Sequence, residues 1–69
     1  MIETPDGLIK PEVQFTGNDG NAMSIMANCS RELRRAGNSS EIVDAYMKES
    51  MSGNYDHVLQ TAMAYCEVN

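Results

Sequence analysis

The chain has 69 residues with ten acidic and five basic side chains, which gives a formal net charge of −5 at pH 7. Its length allows a single domain, and a core of this size rarely contributes more than about 3–5 kcal/mol, so further stabilisation is expected. The acidic balance argues against general binding to DNA or RNA, because a phosphate backbone needs a basic surface. A small anionic ligand held by a local basic cluster is still compatible with this charge.

Oligomerisation is the form of additional stabilisation that the sequence favours. Cys29 and Cys66 are the only cysteines and lie in apolar helical patterns without a signal peptide, so we predict reduced core residues rather than a disulfide framework. A lone histidine, His57, and the absence of a CxxC pair leave no recognisable zinc site, and no cofactor is predicted. No apolar run approaches the roughly 20 residues that span a bilayer, and residues 1–10 lack the apolar centre of a signal peptide. These features are typical of a soluble intracellular protein.

The first part of the chain predicts an arm and a strand. Residues 1–11 are rich in proline and turn residues, which predicts an irregular N-terminal arm with a turn at Pro5-Asp6-Gly7. Residues 12–16 alternate polar and apolar side chains, which predicts a short strand with Val13 and Phe15 on one buried face.

A single strand needs a partner. Three candidates fit the sequence: the tail from Tyr65 to Val68, the arm around Leu8, or the same strand in another subunit. The last would suit an oligomer.

The first helical pattern runs from Asn21 to Gly37. Either Asp19 or Asn21 can cap its start, and Gly37 is a natural left-handed stop. Apolar residues at spacings of three and four form its predicted buried stripe: Ala22, Ile25, Met26, Cys29, Leu33 and Ala36.

Two shorter helical patterns follow. The segment from Asn38 to Glu41 supplies a cap for the second, which Gly53 closes, and Asn54 caps the third. Their predicted stripes are Ile42, Val43, Tyr46, Met47 and Met51, and then Tyr55, Val58, Leu59, Ala62, Met63 and Cys66. The predicted fold is therefore mostly α with a short β element: one short strand or small ribbon followed by three short helices. Residues 12–69 form a single β-α-α-α domain after the arm of residues 1–11.

The loop before the first helix is a candidate anion site. Glycines allow backbone N–H groups to approach an anion, and the positive end of the helix dipole favours it. The candidate ligand-binding residues here are Gly17, Asn18, Gly20 and Asn21. The loop matches neither a Walker motif nor a GxGxxG fingerprint, and Asp19 adds a negative charge. A plain tight turn with a helix cap is the alternative.

Three arginines at the far end of the same helix form a second candidate. Arg31 shares a helical face with Arg34 and Arg35 at spacings of three and four. Guanidinium groups bind phosphates through paired hydrogen bonds, and symmetry in an oligomer could bring two clusters together. A solvated helix end paired with Glu32 is an equally good interpretation.

The start of the third helix provides the last candidate group. Tyr55 could stack on a nucleotide base while His57 or Gln60 hydrogen-bonds its edge. A partly buried packing role is the alternative for Tyr55. The Asp56-His57 pair has no recognised nucleophile or metal motif around it, so we do not predict an enzyme and assign no catalytic residue.

Two segments resemble a known group of proteins. VQFTGNDGNAMSIM and SGNYDHVLQTAMAYCEV look like segments of a widespread group of very small proteins of phages, prophages and mobile elements. The resemblance covers residues 11–69, although Met23 stands where the group commonly has an aromatic residue. The group usually carries no assigned role, and it resembles the phage anti-CBASS sponge proteins, which sequester cyclic nucleotide immune signals without cleaving them.

This resemblance implies a homo-oligomer, such as a tetramer, with ligand pockets near subunit interfaces in the cytoplasm of an infected or lysogenic bacterial cell. The hypothesis is therefore a phage immune-evasion protein that sequesters a cyclic dinucleotide or related nucleotide signal. Two alternatives are a protein-binding inhibitor or adaptor of a host enzyme, and a small structural or regulatory helical module that binds DNA weakly through the arginines.

Overall fold

The computed structural model describes residues 2–14 and 21–68. In this part of the chain the element order is β1 (Glu12–Val13), α1 (Ala22–Arg35), α2 (Ser40–Ser50), α3 (Tyr55–Tyr65) and β2 (Glu67–Val68). The mostly α fold with a short β element is confirmed.

Helix α1 begins and ends where its local sequence dictates. The Asn21 side chain accepts a hydrogen bond of 2.8 Å from the Met23 backbone N–H, so Asn21 is the cap. At the other end Gly37 adopts a φ of +100°, and the Asn38 N–H donates to the Leu33 carbonyl, which satisfies a free helix-end carbonyl. The buried face comprises Ile25, Met26, Cys29 and Leu33, as the periodicity predicts.

Helix α2 confirms its predicted cap but only part of its predicted stripe. The Ser39 side chain accepts from the Ile42 N–H, and Val43 and Tyr46 are buried. Met51, predicted to be on the stripe, is 63% exposed because α2 ends at Ser50 and Met51 already belongs to the following turn.

Helix α3 is capped by Asn54 as predicted, but its buried face is rotated from the predicted stripe. Val58, Thr61, Ala62 and Tyr65 are buried, whereas Tyr55 and Met63 are 43% and 57% exposed. Residues four apart drift around a helix by about 40° per step, so Met63 has turned away from the core, whereas Leu59 is half-buried and packs against it. Tyr55 is the first residue of the helix. The predicted stripe was wrong at Tyr55 and Met63.

The predicted strand pairs with the C-terminal tail, one of the three candidate partners. β1 and β2 are parallel, with Glu12 opposite Glu67 and Val13 opposite Val68, and the Glu67 N–H donates to the Pro11 carbonyl at 2.8 Å. Val13 is buried as predicted. The prediction for Phe15 falls outside the described residues.

The N-terminal arm is attached to the end of α1. Its predicted turn lies at Asp6 and Gly7, where Gly7 has a φ of +82°. The Asn38 side chain accepts from the Ile9 N–H and donates to the Ile9 carbonyl, each at 2.8 Å. Leu8 packs against the core, whereas Ile9 is 51% exposed.

The core lies where the three helices meet. Tyr46 of α2 and Tyr65 of α3 pack edge to face with ring centroids 5.3 Å apart, beside the buried and free Cys29 and Cys66. Both cysteines are buried in the core, as the sequence predicts. Within residues 2–14 and 21–68, no helix has the length and apolar character needed to cross a membrane.

Candidate functional site

The three arginines form a basic surface at the end of α1. The side chains of Arg31 and Arg35 are 63% and 73% exposed, and their closest nitrogens lie 3.6 and 3.5 Å from Glu32 Oε2. Arg34 is exposed and makes no ion pair with any residue that the structure describes. Exposed ion pairs of this length contribute about 0–1 kcal/mol, so Glu32 holds these guanidinium groups only weakly. They are available to an external anion.

Of the candidate anion loop, only Asn21 is described. Gly17, Asn18 and Gly20 lie outside the described residues. The Asn21 side-chain oxygen is already used by the Met23 N–H. Because α1 has 14 residues, the start of the helix is roughly 20 Å from its last arginine. Asn21 and the arginine cluster therefore lie at opposite ends of α1.

The candidates on α3 do not form one surface. Tyr55 and Gln60 are exposed, and His57 is half-buried. Residues two apart on a helix do not face each other, so Tyr55 and His57 point to different sides. Within one subunit, Tyr55 and His57 therefore cannot contact the same nucleotide base, as the sequence analysis had proposed.

Tyr55 also lies far from the arginines. The Glu67 N–H donates to the Pro11 carbonyl, and the nearby Ile9 is hydrogen-bonded to Asn38 just after α1, so the C-terminal end of α3 lies near the arginine end of α1. Tyr55 begins α3, eleven residues before Cys66, a distance of about 16 Å along the helix. A ligand that touches both groups would need to span this distance or to bind at a junction between subunits.

His57 instead contacts Glu49 of α2, a residue that sequence analysis did not single out. His57 Nε2 lies 2.6 Å from Glu49 Oε2, and Ser52 Oγ lies 3.2 Å from each of these atoms. The pKa of Glu49 is lowered, first by the hydrogen bond from His57 and then by that from Ser52. Glu49 lies eight positions before His57 on another helix, so no spacing rule could have found the pair.

Gly53 provides the space in which the His57 side chain lies. A Cβ atom at this position would lie 2.8 Å from His57 Cβ and 2.9 Å from Cγ. The sequence predicted Gly53 as the stop of the second helix. Its contribution in the structure is the close approach between the α2–α3 turn and α3.

The Ser52, His57 and Glu49 arrangement differs from a catalytic triad. In a triad the serine and the carboxylate contact opposite nitrogens of the imidazole ring. Here both Ser52 Oγ and Glu49 Oε2 contact the same nitrogen, Nε2, which carries at most one proton. The Ser52 hydroxyl shares its one proton between the Glu49 backbone carbonyl, at 2.7 Å, and the Glu49 carboxylate, at 3.2 Å, and so directs it away from His57. This geometry links the two helices and does not activate Ser52 as a nucleophile.

An open depression of about 520 Å³ lies beside this cluster, between the N-terminal arm and the helices. Its lining combines two carboxylates, one ammonium group and several hydroxyls, from Glu3, Thr4, Pro5, Ala45, Lys48, Glu49, Ser52 and Tyr65. Within the described ranges, no group of three or more His, Cys, Asp or Glu side chains is arranged to hold a metal ion.

The fold and these surfaces define a small three-helix domain closed by a two-stranded parallel ribbon, with a basic helix end and an interhelical histidine-carboxylate pair. No protein-family model, curated protein or solved structure matches the chain.

Proposed function

We propose that this protein binds and sequesters a cyclic dinucleotide or related nucleotide signal without cleaving it, as a phage immune-evasion protein. The observation that carries the proposal is the arginine cluster, whose exposed guanidinium groups at the end of α1 have Glu32 as their only ion-pair partner within the described residues. Arginine binds phosphate oxygens in pairs, which suits a ligand that carries two or more phosphates. The resemblance to phage sponge proteins supports the same ligand class.

In this proposal the base contacts come from a second subunit. Tyr55 is exposed enough to stack on a base, and Gln60 is free of the histidine-carboxylate pair. Because Tyr55 is remote from the arginines of its own chain, a homo-oligomer, such as a tetramer, would bring Tyr55 and Gln60 to the phosphate-binding cluster of a neighbour. The ligand would then lie at a subunit junction.

The test measures depletion of free nucleotide. Purified protein is incubated with a panel of cyclic dinucleotides, cyclic trinucleotides and cyclic ADP-ribose isomers and removed by ultrafiltration, and the free pool is quantified. The retained protein is then denatured by heat. Depletion with recovery of intact nucleotide is expected; an altered product would show an enzyme, and no depletion across the panel would reject the proposal.

A charge-matched pair of variants locates the site. The double variant Arg31→Glu, Arg35→Glu should lose binding while the circular dichroism spectrum stays helical. The single variants Arg35→Glu and Lys48→Glu make the same change in net charge, the first within the cluster and the second on α2, and only the first should weaken binding. Loss of binding only in the lysine control would move the site to the depression that Lys48 lines.

The alternative function, a protein-binding inhibitor or adaptor of a host enzyme, is favoured by a different observation. Tyr55, Leu59 and Met63 follow one another at four-residue steps along α3, and the first and last are 43% and 57% exposed. We call these three residues the α3 ridge. Tyr55 and Met63 are exposed with the half-buried Leu59 between them, and apolar rows of this kind are typical of protein contact surfaces. The flexible thioether of methionine adapts to irregular partners. Stoichiometric recovery of one host protein with wild type but not with Met63→Glu would support this function.

A further inference from the structure

The depression between the N-terminal arm and the helices gathers charged groups from two parts of the chain. Glu3 belongs to the arm, and Lys48 and Glu49 belong to α2. The volume of about 520 Å³ falls within the range of roughly 300–1,000 Å³ that is common for small-molecule sites. The depression is therefore large enough to hold a small organic molecule.

Two of these charges have no partner within the fold. The Glu3 carboxylate and the Lys48 ammonium are exposed, and neither forms an ion pair or a side-chain hydrogen bond with any residue that the structure describes. The arm thus contributes an unpaired negative group to the depression, and α2 contributes an unpaired positive one.

The Glu49 carboxylate is held in place but still has an acceptor atom to offer. His57 Nε2 and Ser52 Oγ both contact Glu49 Oε2, at 2.6 and 3.2 Å, whereas Oε1 accepts no hydrogen bond from the described residues. The Glu49 side chain is 35% exposed, and the hydrogen bond from His57 lowers its pKa, so it is ionised at neutral pH. A group that is already oriented loses less conformational freedom on binding.

The charges of the lining define the ligand that fits them. Two carboxylates and one ammonium group leave one net negative charge. A complementary ligand carries two cationic groups and one carboxylate. A polyamine would place a cation against Lys48, and a nucleotide would place phosphates against two carboxylates, so both are less suited.

We propose that this depression binds a free basic amino acid, such as arginine or lysine, with its carboxylate on Lys48 and its two cationic groups on Glu3 and Glu49. The methylene chain of the ligand would lie along the apolar groups of the lining, from Pro5 and Ala45. Exposed ion pairs are weak, so we expect an affinity in the millimolar range. None of the arginines of α1 lines the depression, so this proposal does not depend on the nucleotide proposal.

NMR titration of the isotopically labelled full-length protein tests the proposal. L-arginine, L-lysine, agmatine and Nα-acetyl-arginine are added at matched ionic strength, and the backbone amide resonances are followed. The two amino acids should give saturable shifts centred on Thr4, Ala45, Lys48 and Ser52, which line the depression. Agmatine lacks the carboxylate and Nα-acetyl-arginine lacks the α-ammonium group. Each should bind about two- to fivefold more weakly, as expected for the loss of one exposed ion pair.

Three results of the titration would overturn the proposal. The first is the absence of a saturable shift with either amino acid up to tens of millimolar. The second is agmatine binding as tightly as arginine, because this would show only a general attraction of cations to an acidic protein. The third is a set of shifts centred away from the depression.

Single variants assign the contacts. Lys48→Met should remove the preference for arginine over agmatine, and Glu3→Gln should weaken arginine binding. Both positions are exposed, so the fold should be retained, whereas Glu49 is left intact because its replacement would also break the contact with His57. Asp44→Asn removes an exposed acid of α2 that does not line the depression, and it is the matched control for Glu3→Gln. Equal weakening in these two variants, or an unchanged preference in Lys48→Met, would contradict the assigned contacts.

Discussion

At the scale of single residues, the contact between His57 and Glu49 makes the stability of the fold depend on pH in the acid range. The hydrogen bond from His57 lowers the folded pKa of Glu49 below its ordinary value of 4.5. A carboxyl group with a lowered folded pKa stabilises the fold above its unfolded pKa, and this stabilisation is lost as pH falls through the folded value. The loss is therefore expected at acid pH, from about 4.5 downward.

Replacing Glu49 tests this dependence. Glu49→Gln should be less stable than wild type at neutral pH, and the difference should shrink as pH falls below 4.5. Urea unfolding across the acid range measures it. Asp44→Asn, a change of the same type at an exposed position of α2, is the matched control. Its difference in stability from wild type should be the same at every pH. A constant gap between Glu49→Gln and wild type at every pH would contradict the assignment.

Replacing Gly53 by alanine should destabilise the fold, which is the opposite of the usual effect of this replacement. Replacing glycine by alanine where the backbone allows it commonly stabilises a protein by about 0.4–1 kcal/mol, because the unfolded chain loses freedom. At Gly53 the new methyl would lie 2.8 Å from His57 Cβ, so Gly53→Ala should instead cost about 1–3 kcal/mol. Chemical denaturation measures the sign, and unchanged or increased stability would show that the turn relaxes without cost.

At the scale of elements, the N-terminal arm depends on one side chain. Asn38 makes two hydrogen bonds to the Ile9 backbone and donates a third, of 2.9 Å, to the Leu33 carbonyl. The same residue joins the arm to the end of α1, so the arm and the helix terminus are held together.

Removing this amide should release the arm before the helices. Asn38→Ala should lower the free energy of unfolding by roughly 1–3 kcal/mol. It should also accelerate amide hydrogen exchange at Ile9 much more than at Cys29 in α1. Asn28→Ala is the control, because it removes only an exposed hydrogen bond to Arg31. Equal exchange at Ile9 in both variants would mean that other contacts hold the arm.

At the scale of the whole molecule, the α3 ridge is the surface on which an oligomer would depend. A chain of this size gains little from its own core, and three methionines, Met23, Met51 and Met63, expose more than half of their surface. Burying the ridge against a second copy would supply part of the missing stabilisation.

Charge on the ridge should therefore dissociate the oligomer. Wild type is expected to sediment as an oligomer, and Met63→Glu as a smaller species, because a buried unpaired carboxylate is strongly unfavourable. Sedimentation velocity over a range of concentrations makes the comparison. Asp56→Ala, an exposed change on the same helix, is the control. A wild type that sediments as a monomer at every concentration would reject both the oligomer and the junction site built on it.

The sequence by itself determined the three helices, the caps at their starts and the end of α1, but it placed the stop of α2 at Gly53, whereas this helix ends at Ser50. Asn21, Ser39 and Asn54 act as caps and Gly37 as a left-handed stop, because each works through hydrogen bonds or backbone angles within a few residues. The arginine cluster follows from helical spacing for the same reason. Capping and helical spacing involve only neighbouring residues, so the sequence is enough to predict them.

Only the tertiary structure decided which distant groups meet. It selected the tail as the partner of β1, rotated the buried face of α3 away from Tyr55 and Met63, and joined His57 to Glu49. It also placed both cysteines in the shared core. These outcomes depend on how three amphipathic helices share one core, and neither periodicity nor capping specifies the rotation or relative placement of packed helices.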